Sequence, residues 1–353
     1  MDNLTHTLFG LTLAQTPLRR VGRGATLTLL LASNAPDSDI VVAITRGGAA
    51  YLSAHRGSSH GPLGVAGLAL VAAALVYGGF RCGGPRRGTR ASFLSLAGLG
   101  LLGTLAHVLM DLPTSYGTRV LSPFDRTWYT VDWMPIIDAY LLALLAVGLA
   151  AVWLKATART GIASTVLLLV AANYVLRAEL HAIALRQALG SHVTAPTFSA
   201  WPDRPSPKLP SDHACVRDPC ALTTAALPTF GSPFRWRVVR QFSNGYRLSE
   251  IDVLTRTEQS IGWMAHDNGA TVEAARHACD SVVFLAFSRF PAAQVDHQNG
   301  ETIVQMRDVR FLNVAVARRG EEFRPRRRFT VTVRLDSNGK ILERRLGDGA
   351  TGR

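Results

Sequence analysis

The chain has 353 residues, enough for two domains, and its composition changes near residue 185 from Leu, Ala, Val and Gly to a mixed, Arg-rich sequence. The net charge of +13 does not indicate a nucleic-acid partner, because the arginines are scattered and no aromatic-interleaved basic stripe or recognition motif accompanies them. Basic loops beside apolar segments instead favour a membrane protein.

The first 185 residues are predicted to form a helical bundle in the membrane. No basic stretch opens the chain, so the N-terminus does not read as a secretory signal. Two apolar pieces are too short for an easy crossing of about 30 Å of hydrocarbon, Leu4–Ala14 and Ala25–Ala35. Four longer segments are predicted to cross it: Gly61–Phe80, Ser92–Leu112, Ile136–Leu154 and Ile162–Leu180. The last is the weakest, since Arg177 and Glu179 interrupt its end.

Basic residues predict the orientation of this bundle. They form three clusters at connections between apolar segments: Arg19, Arg20 and Arg23; Arg81, Arg86, Arg87 and Arg90; Lys155 and Arg159. Such loops tend to face the cytoplasm. Residues 34–60, 112–135 and everything after 181 are then expected on the opposite, non-cytoplasmic side of the membrane.

Ionisable residues in this part of the chain are predicted to gather at that same non-cytoplasmic edge. These are His6, Asp37, Asp39, His55, His60, His107 and Asp111. Charge near hydrocarbon is costly, so intramembrane ionisable residues are functional candidates by default. Imidazole and carboxylate are also the ligands of hydrolytic metal centres.

The sharpest local pattern is His107 followed four residues later by Asp111. Residues at this spacing share one helical face, so the two side chains can bind one metal, or the carboxylate can orient the imidazole. An intrahelical hydrogen bond at a helix end is the alternative. His55 and His60 lie in a Gly/Ser stretch before an apolar span and can supply two imidazoles to the site. The alternative is an interfacial loop in which the two histidines have no function.

Further candidates adjoin these residues. Asp37 and Asp39 follow a proline and can be ligands or simply part of a capped turn. Arg56 can meet either an anionic substrate oxygen or an acidic lipid headgroup.

The candidate ligands carry nitrogen and oxygen and no thiolate, which favours a divalent metal, zinc first and manganese or iron next. The expected activity is metal-dependent hydrolysis of a membrane-proximal ester or phosphoester, with membrane lipid as partner. Asp37, Asp39 and Arg56 are the catalytic candidates. A metal-stabilised scaffold and a metal transporter are the non-enzymatic alternatives, although a transporter should hold its ligands nearer the midplane.

The remainder of the chain is predicted to be a linker over 186–233 and a soluble α+β domain over 234–353. Alternating runs indicate strands, and Asp-Ser-Asn-Gly-Lys at 336–340 indicates a hairpin. Cys215 and Cys220 can form a disulfide in an oxidising compartment or remain two thiols. The expected fold is therefore a mainly α membrane bundle, of four spans and two short N-terminal helices, with a C-terminal α+β domain.

Five sequence blocks resemble one bacterial family. They are Met-Asp-Asn-Leu-Thr-His-Thr-Leu-Phe-Gly, Asn-Ala-Pro-Asp-Ser-Asp, His-Arg-Gly-Ser-Ser-His, His-Val-Leu-Met-Asp-Leu-Pro-Thr-Ser-Tyr-Gly-Thr and Trp-Met-Pro-Ile-Ile-Asp, all within 1–138. Pro-Phe-Arg-Trp at 233–236 and Phe-Ser-Arg-Phe-Pro at 287–291 are similar too. The family is that of inner-membrane metal-dependent hydrolases described as LexA-regulated and YdjM-like. The resemblance implies a metal site formed by the seven His and Asp residues above; Ala139 departs from the family, where proline is common.

Overall fold

The computed structural model describes residues 1–82, 91–190, 198–202, 221–298, 300–312 and 329–347. Chain contacts divide the protein into two compact units. The first comprises Met1–Ile40, His55–Glu179 and Phe198–Ala200, and the second comprises Val41–Ala54, Leu180–Thr197 and Trp201–Arg353. The predicted boundaries at 185/186 and 233/234 stay predictions. Cys215 and Cys220 lie outside the described residues.

Helices dominate the described residues up to 190. They are α1 (Asn3–Leu13), α2 (Ala25–Ala32), α3 (Ile40–Ala54), α4 (Pro62–Cys82), α5 (Phe93–Asp111), α6 (Ala139–Leu154) and α7 (Arg159–Leu189). Polar side chains fix several helix starts, because an oxygen at the N-cap accepts a hydrogen bond from an otherwise unpaired backbone N–H. Asp2 caps α1, Ser92 caps α5 and Asp138 caps α6 in this way.

Within the described ranges, three helices are long and apolar enough to cross a membrane. They cover Pro62–Phe80, Phe93–Asp111 and Ala156–Leu189. A fourth crossing arises if the pair Ala25–Ala32 and Ala35–Ala54, bent by 51°, counts as one broken span. The fold class predicted from the sequence is confirmed, although the candidate spans differ. Helix α6 has 16 residues and is about 24 Å long, less than an untilted crossing needs.

Helix α3 is the α-helix of the described residues up to 190 that the sequence analysis did not predict. It lies in the stretch 34–60, which was read as a connection. The apolar run at its start covers only Ile40–Ile44, and Arg46, Gly47 and Gly48 follow. Gly47 has a φ of 84° and interrupts the helical backbone. A five-residue run ended by a charge and two glycines is too short to indicate a helix by periodicity.

Glycines allow the first unit's helices to approach closely. A Cβ added at Gly100 of α5 would lie 2.6 Å from the Ala69 carbonyl oxygen of α4, and one at Gly103 would lie 2.7 Å from Ala32 of α2. Tight approach of this kind is typical of helices in membranes, where small residues form the interfaces. It places the end of α5 against the end of α2, where the polar residues lie.

The β-rich second unit contains two antiparallel sheets. The strands of the first, in spatial order, are β3 (Thr223–Pro228), β4 (Arg235–Phe242), β5 (Gly245–Asp252) and β6 (Thr257–Ala265); β1 (Trp128–Thr130) and β2 (Ser199–Trp201) are short strands earlier in the chain. The second sheet has the order β10-β9-β8-β7, with β7 at Pro291–Gln298, β8 at Glu301–Asp308, β9 at Thr330–Leu335 and β10 at Ile341–Leu346. Helices α8 (Ala270–Arg276) and α9 (Cys279–Phe287) lie between the two sheets in the chain.

The second unit contains the predicted hairpin and two features that the sequence analysis did not predict. Strands β9 and β10 pair antiparallel across the predicted hairpin, with Ile341 opposite Leu335. Strand β3 lies inside the segment predicted as a linker. The last three turns of α7 belong to this unit, because Leu180, Ala184 and Leu185 share a buried core with the sheet residues Trp236 and Val238.

Candidate metal centre

The last turn of α5 carries the centre of a buried polar cluster. His107 and Asp111 lie on one face, with the Nε2 atom of His107 3.5 Å from Oδ2 of Asp111, and neither side chain is exposed. Their spacing of four residues produces this arrangement. Two ionisable groups without solvent contact need partners, because an isolated buried charge costs several kcal/mol.

The first partner fixes the tautomer of His107. Its Nδ1 atom donates a hydrogen bond to the Ser33 carbonyl oxygen, 2.8 Å away. Because a carbonyl only accepts, Nδ1 carries a proton, and in the neutral ring the lone pair is then on Nε2. A ring nitrogen held in this way is the usual support of a metal-binding imidazole.

Two loop residues complete the group around that lone pair. The Nε2 atom of His60 lies 3.3 Å from Nε2 of His107 and 3.2 Å from Oδ2 of Asp111. The carboxylate of Asp37 lies in a 3-10 helix at Ala35–Asp39, with Oδ1 3.5 Å from Nε2 of His107 and 3.7 Å from Nε2 of His60. Asp37, His60, His107 and Asp111 each offer one ligand atom, and these atoms lie within 4.8 Å of one another.

His6 adjoins this group from α1. Its ring stacks on that of His107 with centroids 3.7 Å apart, and its Nε2 atom lies 3.3 Å from Oδ1 of Asp111. Both ring nitrogens of His6 are buried and lack a hydrogen-bond partner among the described residues. The backbone nitrogen of Met1 also contacts Asp111. Buried nitrogens without partners are costly in a protein alone, and they fit the donor set of a metal ion.

Asp39 and His55 lie beside the group as a separate pair. The Oδ2 atom of Asp39 is 3.0 Å from Nδ1 of His55 and also accepts the Arg56 backbone N–H at 2.9 Å. Since a carboxylate only accepts, Nδ1 of His55 is protonated and Nε2 is basic. Neither residue belongs to the four-residue group, so the seven predicted ligands divide into a central five and an adjoining pair.

Arg56 is buried beneath the cluster. Its Nη2 atom donates to Oδ1 of Asp111 at 3.0 Å, and Nη1 donates to the hydroxyl of Thr114 at 2.9 Å. Its guanidinium also lies 4.8 Å from the centroid of Tyr116. A guanidinium with these partners orients Asp111 and balances part of its charge.

The loop after α5 supplies supporting groups that the sequence analysis did not select as site residues. Thr114, Tyr116 and the Gly117 carbonyl contact Arg56, and Arg119 donates to the His55 carbonyl at 2.9 Å. These residues lie in or next to the block that carried the resemblance. The role of Ser33 could not be predicted from its side chain, because it is the backbone carbonyl that accepts the hydrogen bond.

Two other aspartates near this edge have structural roles. Asp132 is buried and interacts with Thr130 of β1. Asp138 caps α6 through Leu141 and pairs with Arg177 of α7, both of them buried. Neither is part of the four-residue group.

The electrostatics of the loop histidines favour neutral rings. Burial lowers the pKa of His60 well below its usual value, and the nearby His107 and Arg56 lower it further. Burial also lowers the pKa of His55, against the opposing effect of Asp39. A neutral imidazole offers the lone pair that metal binding or proton transfer requires.

Comparisons with known proteins identify the family of the part of the chain that carries the cluster. The family model described as YdjM inner membrane protein matches residues 1–182, which contain every residue of the cluster. The chain is 26% identical over 149 residues to the uncharacterized protein YfhP of Bacillus subtilis (strain 168). That match covers 40% of this chain and 43% of YfhP, so the chain spans less than half the length of this relative. No solved structure matches the chain. Because the family model covers more than half of the sequence, the chain belongs to the YdjM inner membrane protein family.

Proposed function

We propose that this protein is a membrane-bound, metal-dependent hydrolase. The observation that carries the proposal is the convergence of Asp37, His60, His107 and Asp111, with the lone pair of His107 held toward the group by the Ser33 carbonyl. His6, whose buried ring nitrogens have no hydrogen-bond partner in the part of the chain that the structure describes, is a fifth candidate ligand. A site with two or three imidazoles and two carboxylates favours zinc, with manganese or iron as alternatives.

Charge balance supports a divalent cation. Three carboxylates, those of Asp37, Asp39 and Asp111, lie at the site, and the Arg56 guanidinium contacts Asp111. The N-terminal amine of Met1 also contacts Asp111, but burial lowers the pKa of this amine well below its usual 8.0, which favours the neutral form. These side chains together carry two more negative than positive charges, which a divalent ion would balance. Uncompensated charge at this depth of burial would otherwise be strongly unfavourable.

The residues divide into ligands, a proton acceptor and a support. When bound, a divalent metal lowers the pKa of water and polarises an ester or phosphoryl oxygen. We assign proton transfer to the pair Asp39 and His55, because the carboxylate leaves Nε2 of His55 basic beside the ligands. Arg56 has a positioning role in this proposal, because it is buried and its hydrogen bonds go to Asp111, Thr114 and Gly117.

We further propose that the substrate is a membrane-proximal ester or phosphoester on the non-cytoplasmic side. The cluster lies where α5 ends and α4 begins, at one end of the apolar helices. The basic residues Lys155 and Arg159 lie at the opposite end of α6, and basic loops favour the cytoplasm. A lipid headgroup reaches a site at such an edge, whereas a transported ion would need ligands near the midplane.

A metal-stabilised scaffold is the second candidate, and the burial of the group favours it. The side chains of His60, His107 and Asp111 have no solvent exposure, and structural metal sites are closed. Asp37 and His55 form the less buried edge of the site. An open coordination position at this edge would favour the enzyme.

Metal content and hydrolysis separate these possibilities. We expect purified protein to hold about one divalent ion per chain by elemental analysis. His107→Ala and His60→Ala should lose it, whereas His277→Ala, at a position that is 77% exposed outside the site, should retain it. Full metal occupancy in both site variants would refute the ligand assignment.

The chemistry is tested on wild-type protein with phosphodiester and lipid-ester substrates. Turnover that disappears with chelator and returns with zinc would support the enzyme. Bound metal that raises the unfolding temperature without any turnover would favour the scaffold.

A further inference from the structure

A second candidate site lies between α6 and α7, away from the metal cluster. A groove of about 530 Å³ is lined almost wholly by apolar residues, including Val147, Gly148 and Ala151 of α6 and Gly161 and Ile162 of α7. Its volume lies within the range of roughly 300–1,000 Å³ that ligand cavities occupy. The polar atoms of the metal cluster are at the other end of α6.

The groove exists because the two helices touch at only part of their length. A Cβ at Gly148 would lie 2.4 Å from Val166, so the helices are in contact there. At Gly161, a Cβ would meet nothing within 4 Å. The space therefore opens toward the turn that joins α6 to α7.

Positive charge lies at that turn. Lys155 is exposed and Arg159 begins α7, with its Nε atom donating to the Ala156 carbonyl at 2.8 Å. The N-terminus of a 31-residue helix adds partial positive charge at the same place. Trp153 is 82% exposed next to Lys155. Tryptophan beside lysine is typical of the membrane–water interface.

We propose that this groove binds one acyl chain of an anionic phospholipid, whose phosphate contacts Lys155 and Arg159. The apolar groove matches the acyl chain of such a lipid, and the two cations at its open end match the negative headgroup. A second copy of this chain would fill the groove but would leave the paired cations facing each other across a two-fold interface. The inference does not depend on the metal site, because it uses none of the same residues.

Native mass spectrometry of the full-length protein in detergent tests the proposal with two lipids. We expect wild-type protein to retain phosphatidylglycerol in preference to phosphatidylethanolamine. The double variant Lys155→Gln/Arg159→Gln should bind phosphatidylglycerol about thirtyfold more weakly. Two cations near an anionic lipid together contribute about 2 kcal/mol, and each 1.4 kcal/mol is a factor of about ten in affinity. Arg20→Gln is the matched control, an exposed arginine at another helix connection.

A groove-filling variant gives an independent test. Gly161→Leu projects into the open space and should reduce retention of both lipids, whereas Gly67→Leu, also in open space on α4, should not. Size-exclusion chromatography of each variant reports folding and oligomeric state. Equal retention of both lipids by wild-type protein would overturn the proposal, as would a wild-type dimer that Gly161→Leu converts to monomer.

Discussion

His107 is held by the Ser33 carbonyl, which lies directly after the end of α2, at 2.8 Å. The orientation of one candidate ligand on α5 therefore depends on where a different helix ends. Two glycines set that position, because a Cβ at Gly10 would lie 2.6 Å from the Ser33 hydroxyl and one at Gly103 would lie 3.2 Å from the Ser33 backbone nitrogen.

Widening this contact should weaken metal binding without touching a ligand. Gly103→Val forces α2 and α5 apart, so the carbonyl no longer meets Nδ1 of His107. We expect metal affinity to fall about 10- to 100-fold, the usual effect of losing a group that orients a ligand. Isothermal titration with zinc measures it. Gly98→Val, where a Cβ meets no neighbour, is the control on the same helix. Equal affinities in the two variants would contradict the role of Ser33.

The adjoining pair should affect turnover more than metal content. Asp39→Asn and His55→Gln remove the proton acceptor of the proposed mechanism but leave the four-residue group intact. We expect turnover to fall about 100- to 10,000-fold, the range for general acid–base groups, with metal content unchanged by elemental analysis. If either variant instead loses its metal, that residue is a ligand, as the sequence analysis first suggested.

Arg56 should matter most when metal is absent. Arg56→Gln leaves Asp111 buried without its guanidinium, and breaking a buried pair costs about 3–5 kcal/mol. A bound cation would replace part of the lost positive charge. We expect the variant to melt well below wild type in chelator and closer to it in excess zinc, as followed by differential scanning fluorimetry. Arg20→Gln should follow wild type in both buffers, and a metal-independent deficit in Arg56→Gln would argue against charge compensation.

The sequence was sufficient to predict which residues lie close together, but not which of them form the four-residue group and which form the adjoining pair. Apolar runs place the helix ends, so His6, His60, His107 and Asp111 could be expected at one edge. Which residues are ligands, and which form the pair of Asp39 and His55, depends on α3, because this helix separates Asp39 from His55 in the chain. No clear hydrophobic periodicity in the sequence predicts α3. Backbone acceptors such as the Ser33 carbonyl also cannot be predicted from residue types, because every residue has a backbone carbonyl.

The start of the C-terminal unit is testable by truncation. A fragment of residues 186–353 follows the predicted boundary but lacks Leu180, Ala184 and Leu185, which are buried against Trp236. Losing two buried leucines costs about 4–10 kcal/mol, comparable to the whole stability of a domain. We expect this fragment to aggregate. A 178–353 fragment lacks Val41–Ala54 of the same unit but keeps the buried leucines, and we expect it to show a cooperative unfolding transition by circular dichroism. A folded 186–353 fragment would show that these contacts are dispensable.

Acid should loosen the second sheet through His266. Burial, together with the Arg276 cation, lowers the pKa of His266 below its usual 6.5, and its Nδ1 atom accepts the Ala293 N–H at 2.8 Å. The unfolded chain therefore binds the proton more readily than the folded one. This contribution to stability is complete above about pH 6.5 and is lost as the pH falls from there through the folded pKa.

Hydrogen exchange along β7 measures this effect at pH 7.5 and 5.5, after correction for intrinsic rates. His266→Asn should remove part of the pH dependence, because an amide oxygen can accept the same hydrogen bond without titrating. His297→Asn changes an exposed histidine on the same strand and should leave the dependence intact. The same profile in all three proteins would exclude His266 as its source.

The last turns of α7 constrain the number of residues between its buried side chains. Within the second unit, Leu180, Ala184 and Leu185 all face the core that they share with Trp236. Each residue turns an α-helix by about 100°, so one residue inserted between Leu180 and Ala184 would rotate the two later side chains away from that core while Leu180 stayed in place. The length of this stretch is therefore as constrained as its buried side chains.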